Sequence, residues 1–205
     1  MNRLKVRDLV FLGKGPFSFT VAPGSCIGIS GPSGSGKSLL LRAIADLDPH
    51  EGEVSLGEII CHRTRAPRWR RLIGMLPAES GWWADTVGEH FADAHKNRVV
   101  ELAEGLGFPA DVLSWSIQRL SSGERQRLAI IRLLVNEPRA LLLDEPTASL
   151  DGGNTELVEE LFGSYRREHG VPVIWVSHDP QQLRRVADRI LAMRKQGDDD
   201  GAVLG

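Results

Sequence analysis

At 205 residues, with 41% hydrophobic and 25% charged residues, the chain has the composition of one soluble globular domain large enough to bury a substantial core. A formal net charge of −2 removes any global electrostatic reason to expect nucleic acid as a partner. Two cysteines, Cys26 and Cys61, argue against a disulfide framework or a paired zinc motif and read as small buried apolar residues in a reducing compartment. No segment approaches the roughly 20 apolar residues that span a bilayer. The start, MNRLKVRDLV, lacks the apolar core of a signal peptide, so an intracellular location is expected, with any membrane role exercised through a partner.

Short apolar runs alternate with turn residues through the first half. Leu4–Val10 and Phe17–Val21 are predicted strands, the second in the alternating period of a half-buried sheet. Pro23-Gly24 marks a turn before Cys26–Ser30, an apolar run that fits a buried strand, and a helix is predicted over LLLRAIADL. Further strands are expected at Glu53–Ile60 and Leu72–Leu76. Helical spacing covers Thr86–Gly107, with Val87, Phe91, Val99, Leu102, Ala103 and Leu106 inward. Gly123–Asn136 is a stronger helix that stops at Glu137-Pro138. Ala140–Leu143 is continuously apolar, as in a strand buried on both faces. Helix at Thr155–Arg167, strand at Val171–Ser177, helix at Pro180–Ala187 and strand at Arg189–Met193 follow. This alternation predicts an α/β fold with a mostly parallel sheet covered by helices. Gln196–Gly205, with three consecutive aspartates, is expected to be a frayed tail.

Between the strand Cys26–Ser30 and the following helix lies Gly31-Pro32-Ser33-Gly34-Ser35-Gly36-Lys37-Ser38, a full match to G-x-x-x-x-G-K-[ST]. Its glycines let backbone N–H groups turn toward phosphate oxygens with no Cβ in the way, and the helix that follows adds the positive end of its dipole. Lys37 is expected to reach the β- and γ-phosphates and the Ser38 hydroxyl to ligate Mg²⁺. A chance match is on the order of one in a hundred at average residue usage, and the strand and helix around it lower that further. At the end of ALLL, Asp144 and Glu145 form a carboxylate pair where a buried strand stops. Ligands bind at the carboxyl ends of strands in open α/β sheets, which brings the pair beside the phosphate loop. Asp144 fits an Mg²⁺-orienting role, directly or through water, and Glu145 is placed to polarise an attacking water.

With these residues in view, the chain resembles the nucleotide-binding domain of the ATP-binding cassette (ABC) transporter family, over nearly its whole length. Five motifs occur in that family's order: the phosphate loop; Leu120-Ser121-Ser122-Gly123-Glu124, similar to the family signature; Leu141–Thr147; Ser149-Leu150-Asp151, similar to the loop that communicates across a dimer; and Ser177-His178-Asp179, similar to the switch-histidine segment. The resemblance implies a phosphate-loop NTPase core, about 1–78 and 119–195, with an N-terminal antiparallel β subdomain and a small helical subdomain, about 82–118. It implies Mg²⁺-dependent ATP hydrolysis and two ATPs sandwiched head-to-tail in a homodimer. Ser121, Ser122, Gly123 and Glu124 of one copy then act on the γ-phosphate held by the other. Read locally, Ser121 or Ser122 is a helix N-cap. A neutral His178 is expected near the γ-phosphate or the attacking water. The other five histidines have no such context and are expected to be solvated.

The family's glutamine after a strand like Leu72–Leu76 has no counterpart: Ala78 falls on its position, with Glu79 beside it. Either Glu79 takes over the metal contact or the contact is missing. The family also stacks an aromatic ring on adenine, for which Phe11 is the candidate, with a core role as the competing reading. Of the adjacent Trp82 and Trp83, one is expected to be exposed and to meet a membrane-spanning partner; the competing reading packs both within the helical subdomain along with Trp115. The leading functional reading is the energy-supplying subunit of a transporter, cytoplasmic and held at the membrane by an integral partner that sets substrate and direction. Alternatives are a soluble cassette ATPase acting on nucleic acid or ribosomes, and a regulatory nucleotide-binding module without turnover.

Overall fold

The computed structural model describes residues 2–194, so the expected tail at 196–205 lies outside the described residues. Strands β1 (Leu4–Phe11) and β2 (Lys14–Val21) form a hairpin, followed by β3 (Cys26–Ser30) and the helix α1 (Lys37–Ile44). Next come β4 (Glu51–Leu56), β5 (Ile59–Ile60), α2 (Ala66–Leu72) and β6 (Ile73–Leu76). The second half runs α3 (Lys96–Gly105), α4 (Ser122–Leu134), β7 (Ala140–Asp144), α5 (Gly152–His169), β8 (Val173–Val176), α6 (Pro180–Val186) and β9 (Arg189–Ala192). Two sheets result. An antiparallel one has the order β2-β1-β4-β5, and a parallel one has the order β6-β7-β8-β3-β9.

Side-chain alternation explains how the parallel sheet separates two apolar layers. On β7, Leu141 and Leu143 face one layer while Ala140 and Leu142 face the other. The first layer receives α4, α5 and the 99–117 region; the second receives α1 and the antiparallel sheet. Alternation in β1 is interrupted. Leu4 and Val6 point inward, then Asp8 takes a left-handed φ of 49° and the register shifts, so that Leu9 and Phe11 return to the same face. Ser18 anchors this bulge, its Oγ accepting from the Asp8 N–H at 2.8 Å.

Several expectations need correcting. The predicted helix at Thr86–Gly107 is helical only at Lys96–Gly105; before it, 3₁₀ turns at Gly88–His90 and Asp93–His95 carry the chain. Val87, Phe91, Val99, Ala103 and Leu106 are nevertheless buried, so the spacing recorded an inward face and not a continuous helix. Glu53–Ile60 divides into β4 and β5 around a turn at Gly57, which has a φ of 60°. The α2 helix was not foreseen; its buried Trp69 donates its indole N–H to the Ile44 carbonyl at 3.0 Å.

Candidate functional site

Three neighbouring strands of the parallel sheet end at the same level. Ile29 of β3 and Asp144 of β7 both pair with Val176 of β8. Their continuations, the loop from Gly31, the Asp144–Glu145 pair and Ser177–His178, therefore meet at one edge. They line a cleft of about 350 Å³ together with Ser33, Gly34, Gly36, Lys37, Ser38 and Ala78.

The loop's shape depends on its glycines. Gly31, Gly34 and Gly36 have φ of 149°, 79° and 104°. A Cβ on Gly31 would collide with the Met193 carbonyl oxygen. Gly36 precedes α1 without a side-chain cap, so the first N–H groups of that helix are left for another acceptor. Lys37 is buried, and its Nζ donates to the carbonyls of Gly31 at 2.8 Å and Pro32 at 3.2 Å. Burial lowers its pKa, while the charges of Glu145 and Asp144 act in the opposite direction. Ser35 is buried, and its hydroxyl oxygen has no hydrogen-bond partner among the described residues.

Glu145 adopts a left-handed backbone, φ 49°, held by its N–H donating to the Val176 carbonyl at 3.1 Å. Its Oε1 is buried, accepts no hydrogen bond among the described residues, and lies 3.5 Å from Nε2 of the exposed His178. Burial raises the Glu145 pKa, partly offset by His178. The uncapped start of α1, the buried ammonium, the Ser35 hydroxyl and Glu145 Oε1, both without a hydrogen-bond partner among the described residues, and the carboxylate of Asp144 together suit a polyphosphate with a hard divalent cation.

Not every expected residue joins this cleft. Phe11 is 2% exposed and stacks on Phe17 with ring centroids 5.5 Å apart, so it is a core residue and is withdrawn as an adenine platform. The bulge at Asp8 turned its side chain inward. Ala78 lines the cleft, whereas Glu79 is exposed and outside the lining. Ser121, Ser122, Gly123, Glu124 and Asp151 are also outside it. They gather elsewhere: a Cβ on Gly123 would lie 3.1 Å from the Ser149 carbonyl oxygen. Ser121 is the N-cap of α4 in a reciprocal capping box. The Glu124 N–H donates to Ser121 Oγ at 3.2 Å and the Ser121 N–H donates to Glu124 Oε2 at 2.8 Å. The Ser121 N–H and hydroxyl, both donating to Glu124 Oε2, hold the Glu124 carboxyl below its usual range.

Two features were missed. Lys14, on the antiparallel sheet, covers the phosphate loop, its Cδ 2.9 Å from where a Gly36 Cβ would be; nothing local in the sequence signals this approach. His90, expected to be solvated, is buried: its Nε2 accepts from the Trp83 and Ala84 N–H groups at 3.1 and 3.2 Å, and Nδ1 lies 2.9 Å from the Thr86 carbonyl. It fixes the loop that carries Trp82, half-buried, and Trp83, 73% exposed.

Comparison with known proteins agrees with this geometry. The ABC transporter family model matches residues 15–148. The phosphate import ATP-binding protein PstB of Aeropyrum pernix is 35% identical over 85% of this chain and 78% of its own length. The tungstate uptake system ATP-binding protein TupC of Peptoclostridium acidaminophilum is 34% identical over 90% of this chain and 89% of its own. Protein STAR1 of Oryza sativa subsp. japonica is 37% identical over 83% of this chain, which spans 52% of that protein. A solved structure, described as the ATP-binding subunit of an ABC transporter, superposes with a TM-score of 0.83 over 98% of this chain and 90% of its own, at 20% identity, and shows the shared fold. The chain belongs to the ABC transporter family, as an ATP-binding, ATP-hydrolysing domain.

Proposed function

We propose that this domain powers an uptake transporter, hydrolysing ATP at the cleft between the phosphate loop and Glu145 while an integral membrane partner provides the pathway. The observation that carries the reading is the convergence of Lys37, Asp144, Glu145 and His178 on one cleft. The phosphate-loop N–H groups and Lys37 bind and orient the phosphates. Ser38 and Asp144 are the residues that would hold Mg²⁺, which supplies positive charge at the phosphate oxygens when bound. Glu145 accepts the proton of the attacking water, with His178 Nε2 beside it.

The site is completed by a second copy. Ser122 is exposed at the start of the 13-residue helix α4, whose first N–H groups and dipole favour an anion, yet it is not among the residues that line this chain's own cleft. A head-to-tail dimer brings Ser121–Glu124 and Asp151 to the partner's γ-phosphate, so an isolated copy turns over slowly.

Among the described residues no helix is long and apolar enough to cross a membrane, so transport requires another chain or segment. The exposed Trp83 borders a groove lined by Arg71, Pro77, Arg132 and Leu133, which suits an inserted segment of the membrane partner. The uptake direction rests on relatives named for import or uptake of phosphate, Fe(3+) ions, aliphatic sulfonates and tungstate. Affinity purification from solubilised membranes tests the proposal. An integral membrane protein should accompany the wild-type chain and be depleted at least tenfold with Trp83→Ala. Recovery of ribosomes or DNA in its place would refute it.

A further inference from the structure

The end of α1 remote from the phosphate loop carries a cluster that the nucleotide chemistry does not use. Asp46, His50 and Cys61 each offer one ligand-type atom, and these atoms all lie within 4.8 Å of one another. They come from three stretches: the turn after α1, the approach to β4, and the residue following β5. Cys61 is buried, while Asp46 and His50 are half-buried, so the cluster is reachable from solvent on one side.

Its backbone is fixed from several directions. Asp46 has a left-handed φ of 57°, its N–H donates to the Ala43 carbonyl at 3.1 Å, and its own carbonyl accepts from Arg70 at 2.6 and 3.1 Å. Those bonds occupy the main chain and leave the carboxylate, which makes no hydrogen bond or ion pair among the described residues. His50 Nδ1 lies 3.2 Å from the Asp48 carbonyl oxygen; with Nδ1–H as donor, the Nε2 lone pair is left open, as in metal-bound histidines held by a backbone carbonyl. Around Cys61 the turn is closed by Thr64, whose N–H donates to the Cys61 carbonyl and whose Oγ1 donates to that of Ile60, both at 2.8 Å.

We propose that Asp46, His50 and Cys61 bind one Zn²⁺, with water in the fourth position. A thiolate, an imidazole and a carboxylate form the mixed S, N, O donor set that this ion takes, and softer sulfur disfavours Mg²⁺ or Ca²⁺. Bonds of roughly 2.0–2.3 Å in a tetrahedron put ligand atoms about 3.5 Å apart. Side-chain rotations of about 1 Å therefore close the triad. On binding, the Cys61 S–H bond gives way to a Zn–S bond and the proton leaves to solvent. The ion would clip the end of the phosphate-loop helix to the antiparallel sheet.

Titration of the full chain with Co²⁺, without nucleotide, tests this. One equivalent should develop the near-ultraviolet thiolate-to-Co²⁺ band, and Zn²⁺ should displace it. Cys61→Ser should abolish the band, Cys26→Ser should retain it, and His50→Ala should weaken Co²⁺ binding at least tenfold. Zn²⁺ should also raise the thermal midpoint of the wild type and not of Cys61→Ser. Co²⁺ held by oxygen ligands at Ser38 and Asp144 gives no thiolate band, so the nucleotide site does not confuse the readout. No band in the wild type, or a band that survives Cys61→Ser, would overturn the proposal. Should Cys61→Ser not fold, as judged by circular dichroism, the more exposed His50→Ala decides: unchanged Co²⁺ affinity overturns it.

Discussion

Glu145 combines a left-handed backbone, a buried carboxylate oxygen with no hydrogen-bond partner among the described residues, and a histidine 3.5 Å away. A non-glycine residue in that region is uncommon and, at a candidate site, marks a side chain aimed by its surroundings. Burial favours the protonated carboxyl, so its stabilising contribution is present at low pH and is lost as pH rises through the folded pKa. A base must be ionised, and ATP turnover should therefore fall on acidification with an apparent pKa above the ordinary glutamate value of about 4.3. A pH–rate profile flat down to that value would argue against Glu145 as the base. Glu79 gives the opposite case. It is exposed outside the cleft lining while Ala78 occupies the wall. Turnover of Glu79→Ala should stay within about twofold of wild type, the range expected of a surface change away from the site. A loss of a hundredfold would reinstate it as a metal ligand.

At the scale of elements, two expected dimer-contact segments already have local work. Asp151 N-caps α5: its carboxylate accepts from the Asn154 N–H at 2.9 Å and the Asn154 side-chain amide at 2.8 Å, which lowers its pKa. Asp151→Ala should therefore lower stability through the lost cap, measured by chemical denaturation. Asp151→Ser should restore most of that stability but not ATP turnover; recovery of both would leave the residue with a capping role alone. Elements also show what the sequence could and could not reveal. The phosphate loop and the strand ending at Asp144 were legible because their determinants are contiguous: glycines that need positive φ, and an apolar run buried on both faces. The two readings of Phe11, adenine platform or core residue, could not be separated in the sequence because one bulge at Asp8, pinned by Ser18 ten residues away, decides which face its ring takes. The 86–95 stretch was misread because two 3₁₀ turns bury Val87 and Phe91 at a spacing that a helix also produces. His90 gave no signal, since its partners are backbone N–H groups of a loop whose path only the fold defines.

For the whole molecule, the division of labour follows from the sheet. The carboxyl ends of β3, β7 and β8 bring the phosphate loop, Asp144, Glu145 and His178 to one cleft, and the α4 N-terminus, which the proposed dimer would place on a partner's nucleotide, lies outside that lining. The Trp82-Trp83 loop, supported by His90 and by the Arg132 guanidinium 4.4 Å and 4.9 Å from the two ring centroids, faces a separate groove. On the proposed function, ATP binding, dimer closure and partner docking would use three different surfaces of one chain, with Ala78 on the short segment between cleft and groove. Removing the base should halt the cycle after closure. The most direct measurement is light scattering of Glu145→Gln with saturating ATP and Mg²⁺. The account predicts a particle of twice the 22.5 kDa chain mass, reverting to monomer when ATP is withdrawn. A variant that binds ATP and stays monomeric would contradict it.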